Sequence, residues 1–138
     1  MHEFFDHTGD IGVRIRAANP AGLFEAGAVA MTDVITSATV EPRQTDEIAL
    51  CASALDLLLV DWLSELLYRF ETRAFLVARA HVALAFVDEA HHLRARIEGE
   101  PFDAGRHAIK VLVKAVTYHA LEITQDADGW TATVIFDI

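Results

Sequence analysis

The sequence predicts an α+β fold: one compact domain over residues 1–138, with two helices packed on a mostly antiparallel or mixed β-sheet. Three observations carry that expectation. Two stretches repeat apolar residues at the 3.6-residue helical period, several others alternate at period 2, and no repeat, low-complexity tract or linker divides the chain. A chain of 138 residues, 53% hydrophobic and 23% charged, has the material for a single sizeable core and too little for two.

The elements follow in order. Ile11, Val13 and Ile15 alternate with Gly12, Arg14 and Arg16, the pattern of a strand with one buried face, and Asp10 stands at its entrance on the polar parity. Asn19-Pro20 is an N-cap followed by proline at the first helical position. Leu23, Phe24, Gly27, Met31, Val34 and Ile35 then share one side of a helix running to about Ile35. Glu41-Pro42 breaks the chain before a second strand marked by Ile48, Leu50 and Ala52. Ser53 with Asp56 resembles a capping box opening a second helix from about Ala54 to Phe70. That helix is apolar on most sides, so it is expected at the centre, with Asp61 and Glu65 on its narrow polar stripe. Val82, Leu84 and Phe86, a turn near Asp88-Glu89, then Leu93, Ala95 and Ile97 read as a hairpin. Gly99 through Gly105 reads as a loop and Val111 to Ile123 as mainly extended. After a turn at Asp126 to Gly129, Trp130, Ala132, Val134, Phe136 and Ile138 form one face of a last strand.

Charge and composition exclude several function classes. A formal net charge of -10 repels phosphates, so strong direct binding to nucleic acid is not expected, although an acidic protein can dock on a basic enzyme that holds the strand. Cys51 is the only cysteine, which rules out an internal disulfide and a cysteine zinc cluster and fits a reducing cytoplasm. The start of the chain has no basic region leading into an apolar run, and the central block Leu57 to Val60 is cut by Asp56 and Asp61. No membrane role is expected. Glycine-rich phosphate loops, a serine elbow and a helical HExxH are missing from the sequence.

Seven histidines invite a metal reading. His91 and His92 are adjacent and point to opposite sides of a strand or turn, and His81 has no ligand type near it in sequence. Asp6-His7-Thr8-Gly9-Asp10 is more informative: two carboxylates and a hydroxyl could supply hard oxygen ligands or cap and turn the chain into the strand. Asp137 lies beside the carboxyl group of Ile138. If the first and last strands are neighbours, Asp10, Asp137 and that terminus converge, and a cation removes the repulsion between them. Lys114-Ala115-Val116-Thr117-Tyr118-His119 places Thr117 and His119 on one strand face and Lys114 and Tyr118 on the other. Arg106-His107 reads as an exposed loop pair.

The segments Asp6 to Gly12, Asp61 to Tyr68, Lys114 to His119 and Val134 to Ile138, taken in order across the whole chain, closely resemble the archease family. The family usually has alanine where Gly9 stands and asparagine where Ser64 stands. The resemblance implies a non-catalytic protein that activates the GTP-dependent tRNA-splicing RNA ligase by promoting its guanylylation over repeated turnovers. It also implies a divalent cation, calcium foremost with Mg or Mn as alternatives, held by Asp10, Asp137 and Ile138. Lys114 matches a lysine that looks functional in the family, and Asp6, His7 and His119 in the matched segments join it as expected partner or activation residues. Two competing readings are a general chaperone or adaptor for nucleic-acid enzymes and a small metal-dependent hydrolase using Asp10, Asp137 and His119.

Overall fold

The computed structural model describes residues 1–7 and 9–138, His7 by its main chain alone. Among the described residues the order is β1 (His2–His7), β2 (Asp10–Ala17), α1 (Pro20–Ile35), β3 (Gln44–Ala52), α2 (Leu55–Arg73), β4 (Phe75–Val87), β5 (Ala90–Pro101), β6 (Ala115–Asp126) and β7 (Gly129–Asp137). Every pairing between these strands is antiparallel, in a four-stranded sheet β1-β2-β7-β6 and a three-stranded sheet β3-β5-β4. The α+β expectation holds, with the strands divided between two sheets.

The core is built from the apolar parities. Val13 and Ile15 on β2, Val134 and Phe136 on β7, and Leu93 and Ile97 on β5 are all 1% exposed or less. Leu58, Leu59, Trp62, Leu63 and Leu66 of α2 are buried to the same degree, as the helix's nearly continuous apolar surface requires. The Trp62 indole N–H donates to the Phe24 carbonyl at 2.8 Å, which satisfies the one polar atom of the ring and ties α2 to α1. β4 is an edge strand, and α1 reaches two of its main-chain groups. Glu25 accepts the Val82 N–H at 2.9 Å, and the Thr32 hydroxyl donates to the Val77 carbonyl at 2.7 Å. Satisfying those groups internally blunts the edge against pairing with other chains.

Several local expectations are corrected. The strand opening at Asp10 is the second: His2–His7 already pairs with it, His2 opposite Ile15 and His7 opposite Asp10. Asn19 does cap α1, accepting the Gly22 N–H at 2.8 Å, but α2 is capped at Ala54 with no side-chain bond, so Ser53 and Asp56 form no capping box. α2 also runs past Phe70 to Arg73 and ends at Ala74 with φ 55°. Glu71, Thr72 and Arg73 carry no apolar signal, yet Arg69 and Arg73 both pair with Asp46 of β3 and hold the last turn. Residues 111–114 precede β6 and are not part of it. Among the described residues no helix is long and apolar enough to cross a membrane.

β4 shifts register by one residue between Val77 and Arg79, and Gly99 lies opposite Val77. A Cβ on Gly99 would fall 1.9 Å from the Leu76 carbonyl oxygen, a main-chain atom held in the ladder. Gly99→Ala is therefore expected to cost about 1–3 kcal/mol through overpacking. Chemical denaturation reads this as a lowered midpoint; an unchanged midpoint would mean that the bulge absorbs a methyl group freely.

Candidate functional site

Strand register assembles the site. β2 and β7 pair antiparallel from Ala17 with Trp130 through Ile11 with Phe136. Both strands continue one residue further, so Asp10 and Asp137 stand side by side at the same end of the sheet. Alternation from the buried Phe136 and from Ile11 turns both carboxylates to the face away from the core. Directly opposed residues on paired strands hold their Cβ atoms about 4.5–5.5 Å apart, and like charges so placed destabilise the pairing. Ile138, half-buried, follows immediately and packs against the core. On the other side of β7, the Lys114 N–H donates to the Asp137 carbonyl at 2.7 Å, and Ala115 pairs with Asp137. Lys114 is thus fixed by its main chain beside the acid pair, with its side chain exposed and, among the described residues, without an ion pair.

The other expected residues are placed differently. Asp6 pairs with Ile11 and so lies on the opposite face from Asp10. There it borders a groove of about 390 Å³ with Phe4, Ile11, Asp33, Val34 and Lys110. The His7 main chain pairs with Asp10, but its side chain lies outside the described residues. His119 is exposed on an irregularity of β6, where the pairing passes from Thr117–Ile135 to Glu122–Thr133. Its N–H donates to the Thr117 hydroxyl at 3.2 Å, and Ala120 takes φ 53°. Simple alternation through Lys114 to His119 therefore does not hold.

The end of this sheet offers hard oxygens from two carboxylates in register, with Ile138 next in the chain. Among the described residues no group of three or more His, Cys, Asp or Glu side chains is placed to hold a metal ion. Two carboxylates are the oxygen chemistry of hard divalent cations and not the nitrogen and sulfur set of a closed structural zinc centre.

Residues 2–138 match the model of the Archease protein family. The chain belongs to the archease family. The protein archease of Methanosarcina barkeri is 37% identical, aligned over 100% of this chain and 96% of its own length. That of Sulfurisphaera tokodaii is 34% identical over 99% and 97%. The solution structure of Methanobacterium thermoautotrophicum protein 1598 has a TM-score of 0.84 at 31% identity, covering 99% of this chain and 98% of that one.

This archease-family chain also holds a buried ionic cluster that sequence reasoning missed. Glu100, 1% exposed, accepts hydrogen bonds from the Arg106 guanidinium and, at 2.6 Å, from the Glu41 N–H. His107, fully buried, stands 3.2 Å from the same carboxylate through Nε2, while its Nδ1 accepts the Asp103 N–H at 2.9 Å. Nδ1 is therefore unprotonated, and Nε2 carries the proton shared with Glu100. Of Arg106-His107, expected as an exposed loop pair, Arg106 is exposed but His107 is buried, and together they anchor the crossover from β5 to β6. Further along, Thr36 donates its hydroxyl to the Ala108 carbonyl at 2.8 Å and the Lys110 N–H bonds the Ile35 carbonyl at 2.7 Å. The crossover so fixed leads to Lys114. No short-range pattern linked Glu100 to Glu41 or His107; only the fold brings them together. The isolated histidines have ordinary partners: His81 contacts Glu98 at 2.8 Å, and His91 stacks on Phe86 at 4.7 Å. Glu65 pairs with Arg69 at 3.2 Å.

The Arg106 hydrogen bonds, then the Glu41 N–H, hold the Glu100 carboxyl down to about 2, against an ordinary 4.5. A carboxyl depressed on folding contributes stability that is present above pH 4.5 and is lost as pH falls toward about 2. Thermal melts from pH 7 to pH 2 should show Tm declining through that window. Glu100→Gln should lower Tm at pH 7 and flatten the acid decline; an acid limb identical to wild type would remove Glu100 as its source.

Proposed function

We propose that this protein is a metal-binding, non-catalytic activator of the GTP-dependent tRNA-splicing RNA ligase, acting in the cytoplasm to promote guanylylation of the ligase over repeated turnovers. Membership of the archease family supports a role as a protein activator in RNA processing. The observation that carries the finer reading is the β2–β7 register, which sets Asp10 beside Asp137 with Lys114 bound to the same strand end.

Guanylylation joins a nucleophile to the α-phosphorus of GTP, a step governed by positioning and by phosphate charge. A chain of net charge -10 is drawn to a basic nucleotide-binding cleft and presents its acid end there. Asp10, Asp137 and Ile138 are the residues that would hold a divalent cation. When bound, it would supply positive charge between those carboxylates and the nucleotide phosphates. Lys114, whose N–H bonds the Asp137 carbonyl at 2.7 Å, brings an ammonium on a long stem to the same strand end. The rigid sheet end fixes these groups before docking, so little ordering is needed when the two proteins meet.

The test is multiple-turnover RNA ligation with a catalytic amount of purified ligase, with and without this protein. Wild type should raise the number of turnovers. Asp10→Ala and Asp137→Ala should return ligation to the unstimulated level with the fold intact by circular dichroism. Lys114→Ala should weaken stimulation by about tenfold, the equivalent of one charge-assisted hydrogen bond. Full stimulation by a folded Asp10→Ala/Asp137→Ala double variant would refute the proposal.

A further inference from the structure

The segment between the crossover and β6 has an unusual surface. Lys110, Leu112 and Lys114 are exposed while Val113 is buried and Val111 half-buried, so apolar and cationic residues alternate between core and solvent. Both ends are held by main-chain bonds, Lys110 N–H to Ile35 and Lys114 N–H to Asp137, each 2.7 Å. Leu112, 66% exposed, is the most exposed leucine that the chain presents, on a segment fixed at both ends. Lys110 and Lys114 are the only two lysines in the sequence, and neither makes an ion pair among the described residues. Most of the arginines, by contrast, are engaged by carboxylates, among them Arg14, Arg69, Arg79 and Arg106. Beside Lys110 lies the 390 Å³ groove walled by Phe4, Ile11, Val34 and Val111.

We infer that Leu112 and its two flanking lysines form the docking element of this protein: Leu112 seats in an apolar pocket at the rim of the partner's nucleotide cleft, and Lys110 and Lys114 contact phosphate oxygens held there. The inference rests on the ligase reading above. Three features select this occupant. The segment is continuous with the acid pair through the Lys114–Asp137 bond, so whatever meets Asp10 and Asp137 also meets Leu112. Its charge is opposite to that of the protein as a whole, which suits a partner surface that is basic but holds bound phosphate. A large apolar side chain ringed by polar groups on a pre-ordered segment has the makings of an interface anchor, since little entropy is lost on binding. The two lysines act as point charges toward phosphate.

The test separates docking from activation by titrating each variant into the ligase, reading guanylylation for plateau and half-saturating concentration, and measuring direct binding with and without GTP. Leu112→Ser should raise the half-saturating concentration at least about tenfold with the plateau unchanged. Phe86→Ser is the control: it removes an equally exposed apolar side chain, 64% exposed, from the β4–β5 hairpin end and should change nothing. Lys110→Ala should weaken binding about threefold only when GTP is present. Leu112→Ser behaving like wild type overturns the anchor, and a Lys110→Ala effect that is equal without GTP overturns the phosphate contact. If wild type binds the ligase but does not stimulate it, the activation reading fails while the binding arm still judges Leu112. If wild type does not bind at all, both readings fall.

Discussion

The antiparallel register of β2 on β7 is the constraint from which the candidate site follows. With Val13 opposite Val134 and Ile11 opposite Phe136, four apolar residues turn into the core, and a slip of either strand by one position would send its own pair to solvent. Burial therefore enforces the register, and the register brings Asp10 and Asp137 to one sheet end. The fold accepts two like charges across a strand pair because the hydrophobic gain from the rows behind them exceeds the cost. Burying a Val, Ile or Phe side chain is worth about 1.5–3 kcal/mol each, while a solvated like-charge pair costs only a fraction of that. A site of this kind is maintained by residues that never touch its ligand.

The second sheet and the helices contribute by holding the flank. α1 closes the edge of β4 with Glu25 and Thr32, and α2 locks to α1 through the Trp62 indole and to β3 through Arg69 and Arg73. Two sheets that share no hydrogen-bonded strand are thereby joined by one core. The crossover from β5 to β6 spans them, and the buried Glu100 and His107, with the exposed Arg106, fix its first half. Because a buried carboxylate without partners would be costly, the cluster is stable only as a complete set, which makes the path of the crossover specific. Its second half ends at the Asp137 carbonyl, so the core, the crossover and the acid pair form one continuous structure.

Much of this was legible in the sequence where the signal is local. The α1 cap, the β4–β5 hairpin and the outward parity of Asp10 and Asp137 all follow from spacing, and each is present. β1 was not legible: Phe4 and Phe5 are adjacent, which hides alternation, and only the structure shows the Phe5 ring lying over Gly12, where an added Cβ would come within 2.2 Å of it. The end of α2 at Ala74, with φ 55°, lacks the glycine that usually marks such a cap. The turn of the β4–β5 hairpin likewise places Asp88 and Glu89 at positive φ without a glycine. The β6 irregularity and the Glu100 cluster depend on contacts between residues distant in the chain, and spacing carries no information about them. For the site, sequence found the residues that share a sheet end and missed what holds the crossover beside it. His119 was grouped with Thr117, on the face opposite Lys114, by alternation that β6 does not keep.

The division of labour between the two kinds of cation completes the picture. Arginine's planar fork matches carboxylates, and here it is spent on the fold: Arg106 on Glu100, Arg69 on Asp46, Arg79 on Glu98. Lysine presents a compact, strongly hydrated charge that gains less from a fixed carboxylate, and both lysines stand on the one segment adjoining the acid pair, with no ion pair among the described residues. A surface charge with no intramolecular partner adds little to stability, so its placement there is not explained by folding. The same end of the sheet then combines opposed carboxylates, unspent ammonium groups and an exposed leucine on a pre-ordered backbone. Under the docking inference such a surface meets a partner whose own face mixes basic protein with bound phosphate, and it is a feature of this molecule that its internal energetics do not require.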